Sequence, residues 1–194
     1  MKVCDPTNTE WGFWDRWSDG RWEPETKATI ERFCDGGTFV DIGAWIGPTA
    51  LWAAEHAERV VAIEPDPTAY EMLEVNTSEL AVVERVHVAV ADFDGTTTIS
   101  TNGDSMSRIG GGGVDVACYR LESLFARLGV TSADLIKMDI EGAEREVLAQ
   151  AEPFLRRFGA PMLLSLHAWA PWDRNLLPGW SVEQLEPHEF VVIP

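Results

Sequence analysis

The chain has 194 residues, 45% of them hydrophobic, which is enough for one compact domain with a buried core. Its formal net charge is −17, and a surface this acidic repels phosphate backbones and anionic lipid headgroups. We therefore expect no nucleic-acid partner and no membrane partner. No apolar run is long enough for a membrane span, the first residues lack a signal-peptide core, and the three cysteines are odd in number and widely separated, so we expect a cytoplasmic protein.

We expect a single domain in three parts: an N-terminal arm and helix over residues 1–35, a cofactor-binding core over 36–167, and a C-terminal tail over 168–194. The arm shows no clear periodicity until Pro24, where a short helix is predicted. Seven of the tryptophans stand outside the core: Trp11, Trp14, Trp17, Trp22, Trp169, Trp172 and Trp180. They indicate either an aromatic-lined pocket, with Trp169 as a candidate substrate contact, or a hydrophobic buttress for the sheet.

The segment from Thr38 to Pro67 predicts a strand, a glycine turn, a helix and a second strand. Thr38–Ile42 is the first strand, Pro48 can begin the helix, and Arg59–Glu64 is the second strand. Two strands joined through a helix should be parallel with a right-handed crossover. Ligands of such sheets bind beyond the carboxyl ends of the strands, where Gly43, Gly47 and Glu64 should converge.

A carboxylate at the end of the second strand can accept hydrogen bonds from both hydroxyls of a ribose. A dinucleotide and S-adenosylmethionine both carry one. The sequence Asp41-Ile-Gly43-Ala44-Trp45-Ile-Gly47 lacks the middle glycine of the dinucleotide fingerprint. Asp41 places a negative charge where an amino-acid ammonium is preferred to a pyrophosphate, so the pattern favours S-adenosylmethionine. A plain α/β turn without a ligand is the remaining alternative.

The middle of the chain predicts a third strand over Val86–Ala91, followed by Asp92 and Phe93. An acid and an aromatic ring at this point could bind adenine, but this motif by itself favours an ordinary Asp-Gly turn. Thr96–Ser100 is predicted to be an edge strand, and residues 110–113 are four glycines that form either a lid or a linker. A strand over Val114–Tyr119 and a helix over Leu121–Leu128 follow.

Charged residues lie in the next apolar strand, Leu135–Ile140. Lys137, Asp139 and Glu141 alternate and should share one face, which indicates either a functional site or a structural ion pair. A helix is predicted over Glu144–Gln150. A fifth core strand, Pro161–His167, places His167 at the same edge as Asp139.

Four segments, DIGAWIG, VVAIEPDP, VAVADFDG and IKMDIEGAEREVL, resemble the FkbM family of S-adenosylmethionine-dependent methyltransferases over about residues 37–167. The resemblance implies a Rossmann-like doubly wound, mostly parallel sheet with helices on both faces, and O-methylation of a hydroxyl on a sugar or secondary metabolite. This chain differs from the family pattern at Trp45, where family members tend to have Asn. The tail after His167 is short, with one predicted strand at Glu189–Ile193, so we expect one of the family's seven strands to be missing or rudimentary.

The resemblance also implies roles for individual residues. The methionine loop would comprise Asp41, Gly43, Ala44, Trp45 and Gly47, with Glu64 and Pro65 at the ribose and Asp92 and Phe93 at adenine. Lys137, Asp139 and Glu141 would face the small-molecule hydroxyl acceptor.

The chemistry we expect is an in-line methyl transfer in which the acceptor hydroxyl loses its proton to a general base. His167 is the first candidate for the base because its ordinary pKa is near neutral, with Asp139 orienting it and Lys137 stabilising an alkoxide. Alternatively, Asp139, Glu141 and His167 hold Mg²⁺ or Mn²⁺.

Two other classes stay open at this point: a nicotinamide-dependent oxidoreductase, and a non-catalytic binding protein of the same fold. The sequence does not define the oligomeric state, for which a homodimer is one option.

Overall fold

The computed structural model describes residues 13–100, 108–109, 113–166 and 175–194. The helices of these ranges are α1 Phe13–Ser18, α2 Pro24–Phe33, α3 Pro48–Ala53, α4 Pro67–Thr77, α5 Leu121–Leu128 and α6 Glu144–Phe158. The strands are β1 Thr38–Ile42, β2 Arg59–Ile63, β3 Val83–Val86, β4 Ala89–Val90, β5 Gly95–Ser100, β6 Arg108–Ile109, β7 Val114–Tyr119, β8 Leu135–Met138, β9 Met162–Ser165, β10 Ser181–Glu186 and β11 Glu189–Ile193.

The central sheet has seven strands in the order β10-β11-β9-β8-β1-β2-β3. The pairs β9–β8, β8–β1, β1–β2 and β2–β3 are parallel, and β11 is antiparallel to both of its neighbours. The order reverses between β1 and β8, which makes the carboxyl ends of these two strands the switch point where ligands bind in doubly wound sheets. The predicted Rossmann-like, mostly parallel α/β fold is confirmed.

The sheet is covered on both faces because its buried strands alternate apolar side chains between two cores. One core joins Val40 and Ile42 to residues of α5 and α6, among them Phe125 and Leu148. The other core joins Phe39 to residues of α2, α3 and α4. Asp41 lies between Val40 and Ile42, so strand alternation places it on the face covered by α2, α3 and α4.

The prediction of one long strand over Val86–Ala91 is wrong. Val88 N–H donates to the Val86 carbonyl at 3.2 Å, and this tight turn ends β3. The chain resumes as β4 in a second sheet of order β4-β7-β5-β6. The prediction that Thr96–Ser100 is an edge strand is also wrong within the described residues, because β5 pairs with β7 on one side and β6 on the other.

The expectation that one strand of the central sheet would be missing or rudimentary is wrong as well. β10 supplies it, paired along Ser181–Glu186 with β11. Most of its residues are exposed, so neither an apolar run nor a buried face reveals the strand in the sequence. Within the described residues, no helix combines the length and apolarity needed to cross a membrane.

Candidate active site

The glycine-rich turn after β1 is pressed against the end of β8. Gly43 and Ala44 both donate their N–H groups to the Ile63 carbonyl at 3.0 Å, which ties the turn to the end of β2. Gly43 has φ +85°, and a Cβ at this position would lie 1.8 Å from the carbonyl oxygen of Asp139. Only glycine fits here, because any side chain would collide with the backbone of the neighbouring strand.

The same turn continues into α3 through a second left-handed glycine. Gly47 has φ +93°, and a Cβ there would lie 2.8 Å from Leu73 Cδ1 of α4. Asn76 of α4 donates its side-chain N–H to the Ile46 carbonyl at 2.8 Å. The loop is therefore fixed from three sides, by β2, β8 and α4.

Glu64 organises the loop from the end of β2. Its Oε2 accepts the Trp45 N–H and its Oε1 accepts the Asp66 N–H, both at 2.8 Å. Burial raises the pKa of Glu64 to about 7, although the two backbone donors favour its charged form. Each carboxylate oxygen can accept a second hydrogen bond, so Glu64 can hold the loop and still receive donors from a ligand.

Asp41 and Lys137 form a buried ion pair beneath this loop. They are direct neighbours across β1 and β8, and Lys137 Nζ lies 3.8 Å from Asp41 Oδ1 and 3.3 Å from Asp139 Oδ2. Burial opposes the charge of Lys137, but Asp139 and Asp41 outweigh it and raise the pKa of the lysine. Burial raises the pKa of Asp41 to about 7, against the opposing charge of Lys137. Neither oxygen of Asp41 has a hydrogen-bond partner among the described residues.

The residues after β8 do not continue the strand, so the predicted common face of Lys137, Asp139 and Glu141 extends only to Asp139. β8 ends at Met138, and Glu141 has φ 57°, a left-handed turn conformation. The buried Glu144 accepts the Ile140 N–H at 3.1 Å and the Gly142 N–H at 3.0 Å. Glu144 therefore shapes the turn, whereas Asp139 keeps a quarter of its side chain exposed, at 24%.

Asp92 and Phe93, predicted at the adenine position, both stand exposed after β4, with Phe93 at 40%. Pro65, also predicted as a cofactor contact, is half-buried directly after Glu64. His87 lies nearby, with its Nε2 3.1 Å from the Pro65 carbonyl and its ring stacked on Tyr70 at 4.6 Å. The exposed ring of Phe93 after β4 leaves a flat apolar surface on which a nucleobase could stack.

The N-terminal arm covers the glycine turn. Phe13 of α1 makes an edge-to-face contact with Trp45 at 5.2 Å, and Trp17 donates its Nε1–H to the Pro48 carbonyl at 3.0 Å. Lys27 of α2 donates to the Trp17 carbonyl, and its ammonium lies 4.5 Å from the centre of the Trp52 ring. The tryptophans of α1 therefore pack against the glycine turn. The aperiodic sequence of the arm did not indicate this contact.

Two acids that sequence reasoning did not single out lie near this site. Glu23, directly before α2, has φ 41° and is half-buried. Glu189 begins β11 opposite Ser165, and burial raises its pKa to about 7. The charges of Lys137 and Asp139 act on both acids. Their link to the site comes from the sheet order and from the course of the arm, which no local pattern encodes.

His167 and Trp169, predicted as general base and substrate contact, lie outside the described residues. The metal alternative therefore has two of its three ligands, Asp139 and Glu141, in the described part of the chain. That part contains no group of three or more His, Cys, Asp or Glu side chains that could hold a metal ion.

The fold and site together define a Rossmann-like α/β domain with a glycine-rich loop and an acidic strand end at its switch point. The model of the family described as methyltransferase FkbM domain matches residues 41–184. The chain belongs to this family, and its resemblance to FkbM methyltransferases is confirmed. Comparison with curated protein sequences gives no match.

Several solved structures share the fold. Methyltransferase FkbM from Methylobacillus flagellatus KT is 14% identical with a TM-score of 0.55, and the match covers 93% of this chain and 61% of that protein. Fibrillarin from Aeropyrum pernix, determined with natively bound S-adenosyl-L-methionine, is 13% identical with a TM-score of 0.56, covering 91% and 75%. An rRNA methylase from Streptococcus thermophilus is 11% identical with a TM-score of 0.53, covering 87% and 92%. At such identities the likeness concerns the fold alone.

Proposed function

We propose that the chain is an S-adenosylmethionine-dependent O-methyltransferase acting on a hydroxyl of a small molecule, a sugar or a secondary metabolite. The observation that carries the proposal is the loop after β1 in a chain of the FkbM family, fixed between Glu64 and the end of β8. In this proposal residues 36–167 form the cofactor-binding core of a cytoplasmic enzyme.

The described residues fit such a cofactor. Glu64 retains acceptor capacity for two ribose hydroxyls, and the exposed ring of Phe93 and carboxylate of Asp92 suit an adenine. The turn from Gly43 to Gly47 brings its backbone close to the ends of β1 and β8, where the methionine part would bind. When bound, S-adenosylmethionine supplies an activated methyl group.

The remaining residues would position the acceptor. Asp139 is the partly exposed acid beside the buried pair of Asp41 and Lys137, and its Oδ2 lies 3.3 Å from Lys137 Nζ, which holds it in place. Because the lysine side chain is only 4% exposed, we assign it this positioning role rather than direct contact with an alkoxide. His167 stays the predicted base, and the metal-assisted alternative through Asp139, Glu141 and His167 stays a separate hypothesis.

A small-molecule acceptor agrees better with the charge than a nucleic acid does. The net charge of −17 repels a phosphate backbone, and an RNA-binding surface needs clustered Lys and Arg. The rRNA methylase among the structural neighbours acts on RNA by its own description, but it shares only the fold. A transcript mixture therefore belongs in the acceptor screen as a comparison.

The first test is calorimetric titration with S-adenosylmethionine, its demethylated product and NAD. We expect micromolar binding of the two sulfur nucleosides and none of NAD. Glu64→Gln should weaken S-adenosylmethionine binding about 10- to 100-fold, because it removes a charge-assisted hydrogen bond worth about 1.5–3 kcal/mol. Glu71→Gln, an exposed acid on α4, is the matched control. Absence of binding by the unaltered protein would overturn the proposal.

The second test is a screen of hydroxylated small molecules, followed by formation of the demethylated cofactor. His167→Ala should lower kcat while leaving cofactor affinity unchanged, and unchanged turnover would exclude His167 as the base. Turnover that survives exhaustive chelation would exclude the metal alternative. Cofactor binding without turnover of any acceptor would favour a non-catalytic binding protein.

A further inference from the structure

Trp45 has a backbone conformation that its bulky side chain disfavours. The residue has φ 49° and stands at the first central position of a turn, which the Gly47 N–H closes on the Ala44 carbonyl at 2.9 Å. Glycine and asparagine dominate left-handed turn positions of this kind, and a bulky residue there is an outlier. Such strain persists only where the surrounding structure holds it, and it concentrates at functional sites. Contacts outside the turn must therefore keep Trp45 in this conformation.

The contacts that hold the Trp45 ring come from the N-terminal arm. Phe13 of α1 is 6% exposed and meets the Trp45 ring edge-to-face, with 5.2 Å between the ring centres. The indole Nε1 of Trp45 is buried and has no hydrogen-bond partner among the described residues, so no hydrogen bond described there fixes the ring. Packing in the aromatic cluster around Phe13 therefore sets the position of this side chain.

The arm is in turn anchored beside the same turn. Trp17 lies one helical turn after Phe13, so both residues lie on the same face of α1. Its Nε1–H donates to the carbonyl of Pro48, directly after Gly47, at 3.0 Å. Lys27 of α2 donates to the Trp17 carbonyl, and its ammonium lies 5.0 Å from the centre of the Trp17 ring. One face of α1 thus spans the glycine turn, with Phe13 on one side of it and Trp17 on the other.

The strained conformation of Trp45 directs a backbone donor to Glu64. The Trp45 N–H donates to Glu64 Oε2 and the Asp66 N–H donates to Glu64 Oε1, both at 2.8 Å. With one donor on each oxygen, the carboxylate has a fixed orientation, and its remaining acceptor positions have a fixed direction. A group that is already ordered costs less to engage when a ligand binds. Loss of the Trp45 donor would let the carboxylate rotate, and ligand binding would then have to order it.

We propose that Phe13 is a positioning residue for the cofactor, an inference that rests on the proposed binding of S-adenosylmethionine. The Phe13 ring holds Trp45, the Trp45 N–H holds the Glu64 carboxylate, and Glu64 receives the ribose hydroxyls. The arm thereby sets the affinity for the cofactor through two intermediate residues. Because coupling between two sites is reciprocal, a bound cofactor also stabilises α1.

The first test is calorimetric titration of the demethylated cofactor into Phe13→Leu, which keeps an apolar side chain but removes the ring. We expect the affinity to fall about 3- to 10-fold, the factor that corresponds to an edge-to-face ring contact. In the Glu64→Ala background the same substitution should change the affinity by less than about 1.5-fold, because the residue through which Phe13 acts is gone.

Phe125→Leu is the matched control. It removes another buried phenylalanine ring, which meets Phe158 edge-to-face at 5.2 Å in the core on the other face of the sheet. It should lower the free energy of unfolding and leave the affinity for the demethylated cofactor unchanged. Urea denaturation of each variant verifies that it is folded.

The second test measures amide hydrogen exchange by NMR and needs no ligand. In the ligand-free protein, Phe13→Leu should speed exchange of the Trp45 N–H by the same factor of about 3 to 10, whereas Phe125→Leu should not. In the unaltered protein, saturation with the demethylated cofactor should slow exchange over Phe13–Ser18.

The outcomes separate this inference from the proposed function. An equal loss of affinity in the presence and absence of the Glu64 carboxylate would show that Phe13 acts through general stability, and would overturn the positioning role. Unchanged exchange of the Trp45 N–H in Phe13→Leu would also overturn it. Failure of the unaltered protein to bind either sulfur nucleoside would overturn the methyltransferase proposal, whereas exchange at Trp45 would still decide whether Phe13 holds the turn.

Discussion

Gly43→Ala tests how closely the glycine loop lies against β8. The new Cβ would stand 1.8 Å from the Asp139 carbonyl oxygen, so the two backbones must separate by more than 1 Å. The left-handed φ of +85° adds a cost of about 1–2 kcal/mol, and overpacking adds about 1–3 kcal/mol. We expect a loss of about 3 kcal/mol in the free energy of unfolding, measured by urea denaturation.

The same displacement should affect the ligand site. A shift of about 1 Å in positioned groups can cost about 100-fold in activity, so we expect S-adenosylmethionine affinity to fall by a comparable factor in calorimetry. Gly129→Ala is the control, because Gly129 has φ +63° but nothing lies within 4 Å of its Cβ position. It should lose only about 1 kcal/mol and bind normally. If both variants lose the same stability and keep the same affinity for S-adenosylmethionine, the inference that the loop lies in close contact with β8 is refuted.

Three further predictions concern the buried charges and the arm. Lys137→Met should destabilise the protein by about 3–5 kcal/mol in urea denaturation, because it leaves Asp41 as a buried charge without its partner, and adding Asp41→Asn should restore most of the loss. The pKa of three carboxylates is raised by burial to about 7, so the folded state binds protons that the unfolded state releases above about pH 4. Stability should therefore rise as pH falls from 8 to 5, and a melting temperature that falls over this range would contradict the assignment. Trp17→Phe should cost about 1 kcal/mol in the same denaturation assay through the lost hydrogen bond to Pro48, whereas an unchanged midpoint would show that the arm does not brace the loop.

Elements with a strong local pattern could be predicted to the residue. Thr38–Ile42, Leu121–Leu128 and Glu189–Ile193 have the bounds that the sequence indicated. Each is a short run whose apolar spacing matches its own secondary structure and whose ends carry a glycine, a charge or a turn. The convergence of Gly43, Gly47 and Glu64 followed from the same logic, since parallel strands bring their carboxyl ends to one edge.

Elements that depend on distant partners could not be predicted. β10 has an exposed, polar sequence and is a strand because β11 offers it a hydrogen-bonding edge. α6 extends beyond the predicted end at Gln150 to Phe158, passing Pro153, because Leu155 and its neighbours are buried against the sheet. Tertiary burial outweighs the local propensity in both cases.

The candidate site likewise combines features that the sequence predicted with features that depend on distant contacts. The sequence indicated that Lys137 and Asp139 belong together but not that the lysine is almost fully buried beneath the loop. It predicted a ribose contact for Glu64 but did not reveal that the Glu64 carboxylate accepts hydrogen bonds from the backbone of Trp45 and Asp66. Glu189 lies far from Asp139 in the chain, and only the sheet order β11-β9-β8 brings its strand toward the end of β8.

The aromatic cluster of the arm has a practical consequence. Trp14, Trp17, Trp22 and Trp45 pack around Phe13 and Ile46, directly on the glycine turn. Because Trp45 belongs to the turn and the other rings pack against it, we expect a ligand bound at the turn to change the surroundings of several indole rings together. The intrinsic fluorescence of the protein is therefore a label-free optical readout of the loop, suited to stopped-flow measurement of how fast a cofactor enters and leaves.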